Sequence, residues 1–259
     1  MGFILSYIAV RKFNAGPVEL AYIDEGDGEP VVLVHGFASS KEVNWVNPGW
    51  VSTLTGAGRR AIAFDNRGHG ASTKLYDPAL YHTARMADDI RAVLDHLGLA
   101  RADIMGYSMG ARNTAFLALN HGDRVRSAIL GGLGIHLVEG AGLPGSIADA
   151  LEAPSIDDIT DPQGRTFRAF VDQTKSDRMA LAACIRGSRQ SLSRSDAARI
   201  AVPMLIAVGT KDDIAGSPHD LAALIPGSRA LDIPGRDHML SVGDRVFKDA
   251  VLRFLAERP

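Results

Sequence analysis

Short apolar runs alternate along the chain with stretches in which apolar residues recur every three or four positions. The run PVVLVHG, residues 30–36, lacks polar alternation, as expected for a strand buried on both faces of a sheet. In TARMADDIRAVLDHLGL, residues 83–99, the apolar positions follow the period of an amphipathic helix, and Gly98 is expected to end that helix. This alternation predicts an α/β fold with a mostly parallel sheet and helices on both faces.

The remaining predicted elements continue the same alternation. A first strand is predicted in YIAVRKF, residues 7–13, where polar and apolar residues alternate. Further strands are predicted in the segments 18–24, 59–68, 102–108, 125–134, 202–210 and 228–235, and helices in the segments 111–122 and 241–259.

The segment 135–199 interrupts this alternation. It begins with a glycine-rich loop and continues with a helical pattern over residues 165–187, without a strong strand. We expect it to pack over the sheet edge at which the strands end. The predicted organisation is therefore a core of residues 1–134 and 200–259 with a small helical cap at 135–199.

Composition and charge restrict the classes of function. The chain has 259 residues and a formal net charge of -2. Its length suits one domain with a large core, and its charge gives no reason to expect a nucleic-acid or membrane partner. The only cysteine, Cys184, lies in an apolar helical stretch, where we expect a small core residue. A single cysteine excludes an intrachain disulfide and favours a cytoplasmic protein. The expected partner is a small-molecule substrate, and a homodimer is left open.

The first ten residues, MGFILSYIAV, contain a short apolar run with no basic residues before it and no cleavage pattern after it. Neither a signal peptide nor a membrane span is expected from such a run. Gly2 and Ser6 match the myristoylation pattern, which is loose. The alternation that continues through residue 13 favours a strand instead.

The pentapeptide GYSMG, residues 106–110, carries the strongest chemical signal. It lies between a predicted strand and a predicted helix, the context in which G-x-S-x-G forms a nucleophile elbow. Such a turn strains the backbone at Ser108 and leaves no room for a Cβ at Gly106 or Gly110. It also directs the amide of Met109 toward a developing oxyanion. The alternative is a turn that only connects a strand to a helix.

A serine nucleophile requires a base, and His238 is the preferred candidate. It follows a predicted strand, so it is expected at the same sheet edge as Ser108. His121, His136 and His219 fit less well, because they fall at a helix end, at the start of the insertion and at a helix start.

The base requires an orienting acid, for which GTKDDIAG, residues 209–216, offers two candidates at the end of a strand. Only one carboxylate can bond to His238. We favour Asp212, which is nearer to the strand, and Asp213 is the alternative.

The second oxyanion donor is expected in HGFASS, residues 35–40, which follows a buried strand. The backbone amide of Phe37 is our candidate. His35 precedes it, and its position favours a structural hydrogen bond over a role as a base.

These motifs in combination resemble the α/β-hydrolase family, over nearly the whole chain. The matching segments are HGF at 35–37, DNRGHGAS at 65–72, GYSMG at 106–110, GTKDD at 209–213 and DH at 237–238. The resemblance implies an eight-stranded, mostly parallel sheet with a helical cap after the sixth strand. It also implies that Arg67 and His69 brace the surroundings of the site. Ala111 and Asp237 depart from the family pattern, which often has glycine at both positions.

The chain is similar to small-molecule members of the family, such as carboxylesterases, enol-lactonases and diketone hydrolases. A serine at the elbow argues against dehalogenase or epoxide-hydrolase chemistry. The leading hypothesis is hydrolysis of an ester or lactone through an acyl-enzyme on Ser108, which needs no metal or organic cofactor. Two alternative hypotheses are a carbon–carbon bond hydrolase with the same triad and a non-catalytic receptor for a small ligand.

The cap offers candidates for substrate contact. A carbon–carbon bond hydrolase would need a basic residue for a substrate carboxylate, and the candidates are Arg165, Arg168, Arg186 and Arg189. Three further residues either line an apolar pocket or pack the cap onto the core, namely Phe167, Phe170 and Met179.

Overall fold

The computed structural model describes residues 8–140 and 143–258, so the myristoylation pattern at Gly2 and Ser6 lies outside it. In the part described, eight strands form one sheet in the order β1-β2-β4-β3-β5-β6-β7-β8. The strands are β1 Arg11–Ala15, β2 Val18–Glu25, β3 Glu29–Val34, β4 Arg59–Phe64, β5 Ala102–Tyr107, β6 Val125–Gly131, β7 Met204–Gly209 and β8 Ser228–Ile233. β2 runs antiparallel to β1 and β4, and the other neighbours are parallel. The predicted mostly parallel, eight-stranded sheet is confirmed.

The helices lie in the connections between the strands and after β8. They are α1 Trp50–Gly56, α2 Thr83–His96, α3 Met109–Asn120, α4 His136–Glu139, α5 Ser146–Glu152, α6 Pro162–Gln173, α7 Arg178–Gly187, α8 Arg194–Ala198, α9 Pro218–Leu224 and α10 Arg245–Glu257. Within residues 8–140 and 143–258, no helix is both long and apolar enough to cross a membrane.

The two faces of the sheet pack against different helices, because successive side chains of a strand point to opposite faces. Val32 and Ile104 pack in one buried cluster with apolar residues of α2 and α3. Leu33 and Met105 pack in a second cluster with α1 and α10, which includes Trp50. β3 and β5 are therefore buried on both sides, which explains why β3 has no polar alternation.

A third apolar cluster lies above the sheet edge at which the parallel strands end. Helices α5, α6 and α7 contribute Ile147, Val171 and Leu181 to it, and the core contributes Phe37 and Met109. The flanking helices α4 and α8 instead place side chains in the cluster of α2 and α3. Only α5–α7 thus form a separate layer over the strand ends.

A buried ion pair connects the loop after β3 to the loop after β4. The Lys41 ammonium lies 2.7 Å from a carboxylate oxygen of Asp65, and both side chains are almost fully buried. Asp65 also accepts from the backbone amides of Lys41 and Ala71 at 2.8 Å each. Burial alone would lower the pKa of Lys41, but the charges of Asp65 and Glu42 and the hydrogen bonds to them together outweigh it and raise the pKa. The pair fixes two loops that border the strand ends.

We predict that Lys41→Met lowers the free energy of unfolding by about 3–5 kcal/mol, because it leaves the Asp65 carboxylate buried without a counterion. Lys12→Met is the matched control. The Lys12 ammonium lies 2.8 Å from a carboxylate oxygen of Glu19, but this ion pair is on the surface. The control should cost less than about 1 kcal/mol. Urea unfolding measures both, and equal losses would contradict a structural role for the buried pair.

Candidate active site

The turn between β5 and α3 holds Ser108 in a backbone conformation that side chains rarely adopt, with φ 54° and ψ -112°. A Cβ on Gly106 would lie 2.2 Å from the carbonyl oxygen of Gly110, and one on Gly110 would lie 2.0 Å from that of Val34. Both positions therefore require glycine. The turn packs against β3 and presents the Ser108 hydroxyl at the end of the sheet.

The structure brings Ser108, His238 and Asp212 into one hydrogen-bonded chain. The Nε2 of His238 lies 3.0 Å from the Ser108 Oγ, and its Nδ1 lies 2.8 Å from Asp212 Oδ2. These residues follow β5, β8 and β7, whose carboxyl ends meet at one edge of the sheet. The Asp212 side chain is fully buried and that of His238 is 9 % exposed.

The hydrogen bonds of Asp212 determine the tautomer of His238. The Oδ1 of Asp212 accepts from the amides of Ile214 and Ala215, at 2.9 and 3.0 Å. Its Oδ2 then accepts from Nδ1–H of the imidazole, which leaves Nε2 without a proton. Nε2 can accept the hydroxyl proton of Ser108, so this arrangement is that of a general base beside a nucleophile.

The other acidic residues near His238 have different roles. Asp213 is exposed, and no hydrogen bond joins it to the imidazole within the described chain. Asp237, which stands where the family often has glycine, accepts from the amides of Met239 and Leu240. The carboxylate of Asp237 thereby stabilises the turn that follows His238.

Two backbone amides beside Ser108 are available to an oxyanion. Over residues 8–140 and 143–258, the amides of Phe37 and Met109 donate no hydrogen bond to another protein group. Phe37, Met109 and Ser108 line one cleft. Met109 is also the first residue of α3, so the helix dipole favours negative charge at this point.

Two buried histidines hold the loop that contains Phe37. The Nδ1 of His35 donates to the Gly36 carbonyl at 2.8 Å, and its Nε2 accepts from the Asn66 amide at 2.9 Å. His69 donates from Nδ1 to the Arg67 carbonyl and accepts at Nε2 from the amide of Ala38. Each imidazole thus uses one nitrogen as donor and one as acceptor, which only the neutral form can do.

The loop after β4, which contains His69, is tied to α2 through Arg67. The guanidinium of Arg67 makes two hydrogen bonds of 2.7 Å to the Asp89 carboxylate. It also donates to the Leu80 carbonyl at 2.7 Å. Arg67 and His69 therefore support the backbone around the site and contribute no group to the cleft around Ser108.

Open space on the two sides of Ser108 differs in chemistry. One side, the phenylalanine lobe, has a volume of about 690 Å³ and is lined by Phe37, Leu143, Phe167, Phe170 and His238. The other side, the arginine lobe, has a volume of about 600 Å³ and is lined by Met109, Arg112, Leu133, Ile185 and Arg189. Both lobes include Ser108.

The cap candidates separate into residues that reach these lobes and residues that do not. Phe167 and Phe170 line the phenylalanine lobe, and the ring centroid of Phe167 lies 5.9 Å from that of Phe37. Met179 is 52 % exposed and lines neither lobe, because it lies on the solvent face of α7. Cys184, on the opposite face of α7, is fully buried, and burial raises the pKa of its thiol to about 12.

Of the four cap arginines, only Arg189 lines a lobe beside Ser108. Arg168 is buried against Asp172 and the Ala153 carbonyl. Arg186 forms ion pairs with Asp149 and Glu152 at the surface, and Arg165 lies 3.9 Å from Asp157.

Arg112 is a site residue that the sequence analysis missed. It lies on α3 four residues after Ser108, and it lines the arginine lobe. Residues four apart lie on the same face of a helix. That spacing is the sequence signal by which Arg112 is detectable.

Metal ligation has no candidate in the described part of the chain. There, no group of three or more His, Cys, Asp or Glu side chains is arranged to hold a metal ion.

Comparisons with known proteins agree with the fold. A family model described as alpha/beta hydrolase fold matches residues 29–138. A hydrolase from Pseudomonas aeruginosa has 26% sequence identity and a TM-score of 0.77, covering 97% of this chain and 99% of that one. The chain belongs to the α/β-hydrolase family. The matched segment runs from β3 to α4 and includes Phe37 and Ser108, while the structural likeness extends over nearly the whole chain.

Two further relatives align with less than half of the chain. A non-heme chloroperoxidase from Kitasatospora aureofaciens is 38% identical over 114 residues, which are 44% of this chain and 40% of that protein. A 2-hydroxymuconate semialdehyde hydrolase from Pseudomonas putida is 36% identical over 121 residues, or 46% of this chain and 42% of that one. These alignments span less than half of either protein, so they do not identify a substrate for this chain.

We predict that His69 makes folding stability sensitive to acid. Burial, followed by repulsion from His35, lowers the pKa of His69 to about 3, whereas an unfolded histidine has its ordinary value of 6.5. Between these values the unfolded chain binds a proton that the folded chain does not, so the free energy of unfolding falls as the pH falls below about 6.5. Each such proton contributes a slope of about 1.4 kcal/mol per pH unit.

The His69→Gln variant tests this linkage. The introduced glutamine keeps an acceptor for the Ala38 amide but does not titrate, so the unfolding free energy of the variant should depend less steeply on pH between about 6 and 4.5. His219→Gln, at an exposed histidine, is the control and should keep the parental slope. Urea unfolding at a series of pH values measures the slopes. Identical slopes for His69→Gln and the parent would refute the prediction.

Proposed function

We propose that the chain hydrolyses a carboxylic ester or lactone of a small molecule through an acyl-enzyme on Ser108. The observation that carries this proposal is the hydrogen-bonded chain Ser108–His238–Asp212 on a strained turn. Beside it lie the amides of Phe37 and Met109, which donate no hydrogen bond within the described part of the chain. This combination is the one that acyl transfer requires: a nucleophile, an oriented base and donors for the oxyanion.

The first half-reaction would form the acyl-enzyme. Nε2 of His238 accepts the proton of the Ser108 hydroxyl as Oγ bonds to the acyl carbon, and the carbonyl oxygen becomes an oxyanion. The amides of Phe37 and Met109 donate to that oxyanion. The imidazolium then gives its proton to the leaving oxygen as the bond between the acyl carbon and that oxygen breaks. Asp212 stabilises the imidazolium and fixes its orientation.

The second half-reaction would restore the enzyme. His238 takes a proton from a water molecule, whose oxygen attacks the acyl carbon, and Ser108 leaves with the proton that the imidazolium returns. The products are a carboxylic acid and an alcohol, or a hydroxy acid when the substrate is a lactone. No metal or organic cofactor enters either step.

A carbon–carbon bond hydrolase with the same triad is the second candidate. Its favouring observation is the presence of Arg112 and Arg189 in the arginine lobe, since such substrates bear a carboxylate. The 36%-identical relative from Pseudomonas putida is such an enzyme by name, acting on 2-hydroxymuconate semialdehyde.

A comparison of rates over three kinds of substrate distinguishes the candidates. A 4-nitrophenyl ester, an enol-lactone and a vinylogous diketone with a terminal carboxylate are offered to the parent and to Ser108→Ala. The proposal predicts the highest kcat/KM for an ester or the lactone, and loss of that activity in the variant. A higher kcat/KM for the diketone would favour the second candidate, and turnover of none would refute both.

The choice of acid generates a further prediction. Asp212→Asn should lower kcat/KM by about 10³-fold or more, because asparagine favours the imidazole tautomer that cannot accept the Ser108 proton. Asp213→Asn is the matched control, adjacent in sequence but exposed, and it should keep nearly parental activity. Initial rates with a 4-nitrophenyl ester and thermal unfolding of each variant make the comparison. A larger loss in Asp213→Asn would overturn the assignment of the acid.

A further inference from the structure

The arginine lobe contains two cationic side chains that have no acidic partner. The Nη1 of Arg112 donates to the Gln190 carbonyl at 2.9 Å, and the Nη1 of Arg189 donates to the Leu143 carbonyl at 2.6 Å. Within residues 8–140 and 143–258, no carboxylate oxygen lies within 4.0 Å of either guanidinium. Each carbonyl group accepts from one guanidinium nitrogen. Arg189 is exposed to solvent, whereas Arg112 is partly buried and its charge has no carboxylate partner among the described residues.

Two buried arginines elsewhere in the protein differ from the partly buried Arg112 in this respect. Arg67 is paired with Asp89 at 2.7 Å, and Arg168 with Asp172 at 2.9 Å. A buried charge without a partner is costly, so proteins normally pair it. The exception at Arg112 lies one helical turn from Ser108, or about 6 Å along the axis of α3.

The electrostatic state of Arg112 agrees with this geometry. Burial, together with the like charge of Arg189, lowers the pKa of Arg112 to about 10. The guanidinium is therefore still protonated at neutral pH, but its charge is held at a cost. An anion bound between the two arginines would offset that cost and could accept several N–H donors.

The position of His238 indicates which part of a substrate would meet these arginines. The leaving group must lie within hydrogen-bond reach of His238 Nε2 to receive its proton. His238 lines the phenylalanine lobe and not the arginine lobe. The leaving group therefore belongs in the phenylalanine lobe, and the acyl group extends past Met109 toward Arg112.

We propose that the acyl group of the substrate ends in a carboxylate, which Arg112 and Arg189 bind. The inference rests on the function proposed above and specifies its substrate class: half-esters of dicarboxylic acids, or the corresponding lactone acids, with an apolar leaving group. Hydrolysis of such a half-ester consumes one water and gives a dicarboxylic acid and an alcohol. The two lobes account for the two ends of this substrate.

A pair of esters of equal chain length tests the inference. The substrates are 4-nitrophenyl hydrogen adipate, whose acyl group ends in a carboxylate, and 4-nitrophenyl hexanoate, whose acyl group ends in a methyl group. We expect the parent to prefer the adipate. In Arg112→Met and in Arg189→Met, the ratio of kcat/KM for adipate to hexanoate should fall at least tenfold, mainly through KM.

Two further variants separate recognition of the carboxylate from a structural role. Arg112→Lys keeps a positive charge and should restore part of the adipate preference. Arg199→Met removes a charge from the exposed Arg199 and should leave the ratio at its parental value. A structural role of Arg112 would lower the rates for both esters in parallel, and a ratio within twofold of the parent in both Arg→Met variants would overturn the inference.

Ligand binding to the Ser108→Ala variant tests the inference without any turnover. The probes are two stable amides, N-phenyladipamic acid and hexananilide, and titration calorimetry measures their affinities. The inference predicts tighter binding of the acid, and loss of that difference when Arg112→Met is added. Equal affinities would overturn it even if esters are hydrolysed. An arginine-dependent preference without any ester hydrolysis would refute the proposed function and leave the anion site standing.

Discussion

The close approach of two backbone segments at Gly106 and Gly110 is the constraint on which the site depends. The segment around Gly110 contacts the carbonyl of Val34 at the end of β3, and any Cβ there would overlap it. This contact forces the chain to reverse at Ser108 with a positive φ. The Ser108 hydroxyl, the amide of Met109 and the start of α3 then all lie at one point. A looser turn would separate the Ser108 hydroxyl from the amide of Met109.

The surrounding polar groups are buried in forms that avoid uncompensated charge. His35 and His69 are held neutral by burial, and Lys41 is paired with Asp65. These groups hold the loop that carries Phe37 without placing a competing charge beside the site. Arg112 departs from this rule, since it is charged and partly buried and has no carboxylate partner among the residues that the structure describes. The departure occurs in the cleft around Ser108, where a ligand can supply the missing charge.

Much of the core could be predicted because burial on both faces leaves a clear pattern, as in β3 and β7. Helix α1 was not predicted, since Trp50–Gly56 is short and rich in residues of modest helix propensity. The positions of Ser108, Asp212 and His238 followed from loops after strands, although their catalytic roles stay a prediction. Side-chain direction in the cap could not be read from sequence: Phe167 reaches the cleft and Met179 does not. Arg112 was missed because no side chain of the helix predicted at 111–122 was considered as a site candidate.

Covalent labelling by an organophosphate tests most directly whether Ser108 is the nucleophile. The protein is incubated with diethyl 4-nitrophenyl phosphate, and intact mass and peptide mapping locate the diethylphosphoryl group. The account predicts one group per chain, on Ser108, released 4-nitrophenol in equal amount and loss of ester hydrolysis in proportion to labelling. Ser108→Ala should remain unlabelled. Labelling at another residue with parallel loss of activity, or full activity after Ser108 is modified, would contradict the account.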